Sequence, residues 1–185
     1  MRTAINDKIH TVEEYIKGEW LSELRHEFIE GRLFEMQQED TLNNLIRGNI
    51  AVVLFHPLKT AGYQSYIHDI KVAIPNENKY YYPDIFSTKE DRIKNTNEFI
   101  KYQPEIIIEV ASESTHVTDY VDKYIDYSKI PSLLYYLIVE PETTLITVYE
   151  RGSNSEWVTH KYTQLEDTIK LPKLNIEFLV KQVYE

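Results

Sequence analysis

Apolar residues recur at helical spacing in two early stretches, and elsewhere they alternate with polar ones or run together in short blocks. That mixture predicts helices interleaved with strands. Thr11-Val12-Glu13-Glu14 has the form of a capping box, with Thr11 as N-cap, and predicts a short helix ending near Gly18. Arg25 to Glu30 and Arg32 to Met36 read as strands around a turn at Gly31. Asp40 caps a second predicted helix from Thr41 to about Phe55, in which Leu42, Leu45, Ile46, Asn49, Val52 and Val53 keep the period; Pro57 and Gly62 should end it. Tyr63 to Ile67, Asp69 to Ile74 and Tyr80 to Phe86 then read as three strands, with Pro75-Asn76-Glu77-Asn78 as the turn before the last.

Ser87 to Gln103 is charged and predicts an exposed loop, whose Lys89, Arg92, Lys94 and Lys101 are expected to contact a phosphate backbone. Glu105 to Val110 is a continuous apolar block, the mark of a central strand buried on both faces. Ser114 or Thr115 caps a further helix ending before Pro131, with Val117, Val121, Tyr124 and Ile125 expected to cover the sheet. Leu133 to Val139 is a second buried strand, Leu145 to Tyr149 and Glu156 to Tyr162 form a hairpin around Gly152-Ser153-Asn154, and Leu174 to Val183 is amphipathic without a clear type. No repeat, linker or low-complexity segment divides the chain. Residues 1–185 therefore read as a single α/β domain, a mixed sheet flanked by helices.

Composition narrows the chemistry. The chain has 185 residues and no cysteine, which removes disulfides and thiolate metal sites and suits a reducing cytoplasm. The N-terminal stretch carries no apolar run of signal-peptide type, and no stretch approaches the ~20 apolar residues of a membrane span. A net charge of −10 argues against a non-specific nucleic-acid coat protein. It leaves a metal-using nuclease open, because a cation offsets local negative charge.

The chemistry-bearing positions lie between Tyr82 and Lys123. Asp84 and Glu109 stand at or within apolar strand-like runs, where an unpaired charge is costly. Thr115, Asp119, Lys123 and Tyr127 follow at four-residue spacing and share one helical stripe. Two carboxylates on neighbouring strands can hold Mg2+ through hard oxygens, with the Val110 carbonyl as a further ligand and Mn2+ as a substitute. A lysine beside them adds a point charge for the attacking water or the transition state. The plainer alternative makes each carboxylate a satisfied structural ion and Asp119–Lys123 a surface pair worth only ~0.3–0.5 kcal/mol. Other chemistries find little support. There is no glycine-rich phosphate loop, His26-Glu27 lacks the second histidine of a zinc-protease helix, and Ser112 has no nucleophile elbow for His116 to serve.

Pro83-Asp84, Glu109-Val110-Ala111-Ser112, and Thr115 with Asp119, Lys123 and Tyr127 resemble the Uma-type family of restriction-endonuclease-like proteins. Glu27-Phe28-Ile29-Glu30-Gly31 resembles that family's early acidic-apolar-glycine signature, and Leu133 to Pro141 its apolar strand ending in a proline turn. The resemblance spans Val12 to Tyr149 and implies the PD-(D/E)xK nuclease core. It implies Asp84 and Glu109 as metal-binding acids, Lys123 as the lysine in place of the usual one, where Ala111 stands, and Glu27 as an accessory acid. A surface or ion-paired role for Glu27 stays open. Asn43 takes a position where the family often carries histidine, which puts activity in question. The resulting expectation is a Mg2+-dependent DNA endonuclease, a homodimer if it cuts both strands. The alternatives are a catalytically inactive module that binds DNA or a protein, and a phosphoesterase acting on a small substrate.

Overall fold

The computed structural model describes residues 4–5, 8–36, 40–89, 99–112 and 118–185. Helix α1, Val12–Leu21, opens on the predicted capping box, with Thr11 Oγ1 accepting from the Glu14 N–H and the Glu14 carboxylate accepting from the Thr11 N–H. It runs past the expected end at Gly18. Tyr15 and Glu19 lie four apart on its buried face, and Glu19 binds the His26 backbone and ring, so tertiary anchors carry the helix through the glycine. The hairpin of β1, His26–Ile29, and β2, Arg32–Glu35, turns at Gly31, whose φ is +89°. The positive φ favours glycine, and a Cβ there would meet Ile9 Cγ2 at 2.7 Å, so the isoleucine side chain would also have to shift.

Helix α2, Thr41–Thr60, begins at Asp40, which accepts from the Asn43 N–H. Pro57 lies inside the helix instead of ending it. The missing N–H falls in the last turns, and Leu54 and Leu58 on either side are fully buried, so packing outweighs the lost bond.

Two sheets carry the rest. The five-stranded sheet has the order β2, β1, β5 (Lys79–Tyr81), β4 (Lys71–Ala73), β7 (Ile100–Lys101). The six-stranded sheet has the order β11 (Trp157–Tyr162), β10 (Leu145–Arg151), β9 (Tyr135–Glu140), β8 (Pro104–Val110), β6 (Ile85–Thr88), β3 (Gln64–Ile67). The expected single strand Tyr80 to Phe86 is split between them. Pro83 has no N–H for a ladder, so pairing stops at Tyr81 and resumes at Ile85 in the other sheet. On the partner arm His68 takes φ +62° and donates its N–H to the Asp84 carbonyl at 3.0 Å. One long bent hairpin thus passes from sheet to sheet, and Asp84 stands at the crossing.

The expected loop Ser87 to Gln103 is partly structure. Ser87 and Thr88 are buried in β6, and Ile100–Lys101 pairs in parallel with β4. Lys101 is buried beside the Tyr66 ring and is therefore no exposed arm. Arg92 and Lys94 lie outside the described residues.

The central strand β8 is parallel to β9, antiparallel to β6 and buried as expected. Ile106, Ile108 and Val110 join the core beneath Ile46, Ile50 and Leu54 of α2; Ile107 joins Tyr127, Ile130 and Leu133 on the opposite face. Alternation along the strand puts Glu109 on the Ile107 face. After β8 the chain winds as a π-helix over Thr118–Lys123 and as α3 over Tyr124–Ser128. The expected caps Ser114 and Thr115 lie outside the described residues. Of the expected sheet-covering face, Tyr124 packs against the core beside Tyr149 and Trp157, Val121 and Ile125 are 47% and 51% exposed, and Val117 lies outside the described residues, while Asp119, Lys123 and Tyr127 are buried. The polar stripe wins because partners await it inside. The tail resolves into β12, Thr168–Leu171, paired with β13, Ile176–Leu179, and a short α4, Lys181–Tyr184, against α2.

Asp126 fastens α3 to β5 by accepting from Lys79 at 2.8 Å and from Tyr81 at 2.6 Å, and Lys129 joins from its own helix at 2.8 Å. Burial alone would raise the Asp126 carboxyl; the bonds from Lys129, Lys79 and Tyr81 outweigh burial and hold it below its usual value. A carboxyl lowered by folding stabilises above its unfolded pKa, and that stabilisation is lost as pH falls through the folded value. Melting temperature should therefore fall more steeply below about pH 4 for the native chain than for Asp126→Asn, which should melt lower at neutral pH. Parallel pH curves would remove Asp126 from the acid response.

Candidate active site

Five elements meet at the crossing of the two sheets. The β6–β8 register pairs Ile85 with Ile108, so one step further sets Asp84 opposite Glu109. Asp84 Oδ2 accepts from the Val110 N–H at 2.7 Å, which locks the carboxylate against the end of β8. Its Oδ1 is 2.8 Å from Arg47 Nη2, reaching over from α2. Asn43, one turn earlier on α2, donates to the Ala111 carbonyl at 3.4 Å. The position occupied by Asn43 therefore faces the site.

Lys123 fills the centre. Its ammonium lies 2.8 Å from Glu109 Oε1, 3.1 Å from Asp119 Oδ1 and 3.8 Å from Glu27 Oε1. Tyr127, one helical turn on, donates to Glu109 Oε1 at 2.9 Å. Glu27 sits in β1 and accepts from the Tyr82 N–H at 3.4 Å, and the Tyr82 hydroxyl donates to Glu19. The acidic-apolar-glycine segment of β1 is thereby tied to the Tyr82-Pro83-Asp84 bend. The side chains of Glu27, Glu109, Asp119 and Lys123 are each at most 4% exposed, which excludes the surface-pair reading of Asp119–Lys123 and the surface reading of Glu27.

Burial raises the Glu109 carboxyl to about 8; Lys123 opposes the rise, and Asp119 and Asp84 add to it. Burial also raises the Tyr127 hydroxyl, with Glu109 contributing, so Tyr127 stays a hydrogen-bond donor. His68 lies at the edge, with Nδ1 3.9 Å from Asp84 Oδ1, and burial and Arg47 lower its ring.

The structure brings together all four side chains singled out from the sequence: Asp84, Glu109, Lys123 and Glu27. Val110 joins through its N–H to Asp84. Arg47 and His68 were missed. For Arg47 a signal existed: a cation one position after the buried Ile46 and three before the buried Ile50 stands on the core side of an amphipathic helix.

A layered mixed sheet with an acid–lysine cluster at its strand ends defines a restriction-endonuclease-like fold. A crystal structure described as "a putative nuclease belonging to DUF820", from Anabaena variabilis, superposes with a TM-score of 0.76, covering 94% of this chain and 97% of that one at 17% identity. The chain belongs to the Uma2 family, described as "putative restriction endonuclease", whose model matches residues 12–180. The uncharacterized protein slr1290 of Synechocystis is 27% identical over 172 residues, 93% of this chain and 90% of its own length. A second uncharacterized Synechocystis protein, sll1609, is 24% identical over 159 residues, 85% and 90% of the two chains.

Proposed function

We propose that this chain is a Mg2+-dependent DNA endonuclease hydrolysing phosphodiester bonds, with Mn2+ as a working substitute. The observation that carries the reading is the buried convergence of Glu109, Asp119 and Glu27 on Lys123, next to Asp84. Such a cluster is a poor stabilising device, since apolar residues of similar volume commonly do as well or better. Its donor set suits a hard divalent cation. Asp84 and Glu109 offer oxygens on facing strand positions, and Mg2+ needs few protein ligands because it keeps several waters. Once Glu109 gives up its proton to a cation, four acids face Arg47 and Lys123, an excess of negative charge that a divalent cation matches. Among the described residues no three acidic or histidine side chains form a ready cation cage; the Lys123 ammonium holds the place where the acids converge.

A bound cation would supply an activated water and offset charge at phosphorus. The protein's own groups do the positioning. Tyr127 and Lys123 fix the Glu109 carboxylate, and the Val110 N–H fixes Asp84. Asp119 holds Lys123, which sets a positive charge beside the attacking oxygen. Glu27 is the accessory acid that keeps Lys123 within the cluster. DNA is the proposed substrate, a homodimer the proposed form for cutting both strands, and the cytoplasm the proposed setting. No helix among the described residues is long and apolar enough to cross a membrane.

A catalytically inactive DNA- or protein-binding module is the second reading, favoured by Asn43 and by the direct neutralisation of Glu109 by Lys123. Supercoiled plasmid separates the two. The endonuclease should yield nicked and linear forms with Mg2+ or Mn2+ and none with EDTA. Retardation of DNA without cleavage in either metal would select the module.

A further inference from the structure

We infer that Arg47 is an exchangeable counter-ion: it occupies Asp84 Oδ1 until a divalent cation takes that oxygen, and it then turns to the substrate phosphate. The inference rests on the nuclease reading and concerns a residue to which that reading gives no part. Three observations support it. The Arg47 guanidinium contacts the same carboxylate that would ligate the cation, at 2.8 Å on Oδ1, while Oδ2 is held by the Val110 N–H. A cation on Oδ1 therefore competes with the arginine for the charge of the same oxygen. Asp84 needs no arginine to keep its place, because Val110 N–H fixes it from the backbone and the bend at Pro83 fixes it from the chain. Finally, Arg47 is on α2, the helix whose Asn43 reaches Ala111 at the end of β8, so its guanidinium stands beside the end of that strand.

The electrostatics give the exchange a direction. A divalent ion next to Asp84 cancels the attraction that holds Arg47 and repels the guanidinium. A phosphodiester brought to the cation would then offer the guanidinium an anion in exchange. Arginine suits this second partner better than lysine would, since its planar fork matches two phosphate oxygens at once. The same group that seals the site without a cation becomes its phosphate clamp when one is present.

The test uses the full chain and two probes. Mn2+ alone is titrated calorimetrically onto the native protein, Arg47→Gln and Arg47→Lys, with melting curves to establish that each is folded. Arg47→Gln should bind Mn2+ roughly tenfold more tightly, the size expected when one charge-assisted hydrogen bond need no longer be broken. Arg47→Lys, which keeps the charge, should stay near the native affinity. Duplex DNA is then titrated in Ca2+, where Arg47→Gln should bind about tenfold more weakly at equal salt. Unchanged or weaker Mn2+ binding by folded Arg47→Gln would overturn the exchange and make Arg47 a structural support of Asp84. Tighter Mn2+ binding with native DNA affinity would overturn the phosphate half. Absence of Mn2+ binding in native protein and variant alike would overturn the metal site itself and the inference with it, an outcome distinct from both others.

Discussion

Replacing Lys123 with methionine is expected to lower plasmid cleavage by ~10²–10³-fold, the usual loss when one preorganised electrostatic group is removed from a site. The aliphatic stem of the side chain is conserved, so the packing between the π-helical turns and β8 should survive. The charge is not, and its loss leaves Glu109, Asp119 and Glu27 facing one another in a buried space. Removing one partner of a buried ion cluster costs ~3–5 kcal/mol. The variant should therefore melt on the order of 10 °C lower in EDTA, and Mg2+ should restore much of the difference. Mn2+ affinity should be equal to the native value or higher, because a competing cation has gone. Near-native cleavage would remove Lys123 from the chemistry, and a melting point indifferent to both the substitution and Mg2+ would remove the acids from the cation site.

The amide replacements Asp84→Asn and Glu109→Gln should both weaken Mn2+ binding by at least ~10-fold, as loss of a charged ligand implies, yet diverge in stability. Glu109 is crowded by Asp119 and Asp84 as well as served by Lys123 and Tyr127. A neutral glutamine keeps an oxygen for the Tyr127 hydroxyl and relieves the like charges, so the metal-free protein should melt at the native temperature or above. Asp84 is engaged differently. Its two oxygens answer Arg47 and the Val110 N–H, and an asparagine leaves the buried guanidinium without its carboxylate. That loss should cost ~1–3 kcal/mol. Melting in EDTA and calorimetry with Mn2+ check both. Equal losses of stability in the two variants would show that Glu109 is held by its neighbours as firmly as Asp84 is.

The site was more legible in the sequence than the sheets around it. Glu109 stood out because a carboxylate in the middle of Ile106 to Val110 has to be answered by something. The spacing of Asp119, Lys123 and Tyr127 pointed to what answers it. The bend at Pro83 was hidden because Tyr80 to Phe86 is uniformly strand-like, and nothing local says that its two halves pair in different sheets. The apolar pattern was misleading on the π-helical turns. Val121 and Ile125 look like a buried face, yet the buried Glu109 draws the polar stripe inward at their expense. Arg47 is harder to read, because an arginine on a helix is ordinarily solvated and its contact with the Asp84 carboxylate comes only with the fold.

The wide turn over Thr118–Lys123 carries a consequence for how this lineage can change. A π-helical turn amounts to one residue more than an α-helix would use for the same rise. Deleting the exposed Asp122 would let the segment tighten into an ordinary helix and keep every core residue. Because the wide turn already holds that extra residue, Lys123 and the buried Tyr127 after it would stay on the side of the axis that faces Glu109. Loss of a single codon here is therefore a change the fold can absorb with the lysine still beside the acids, so the length of this turn is free to vary by one residue.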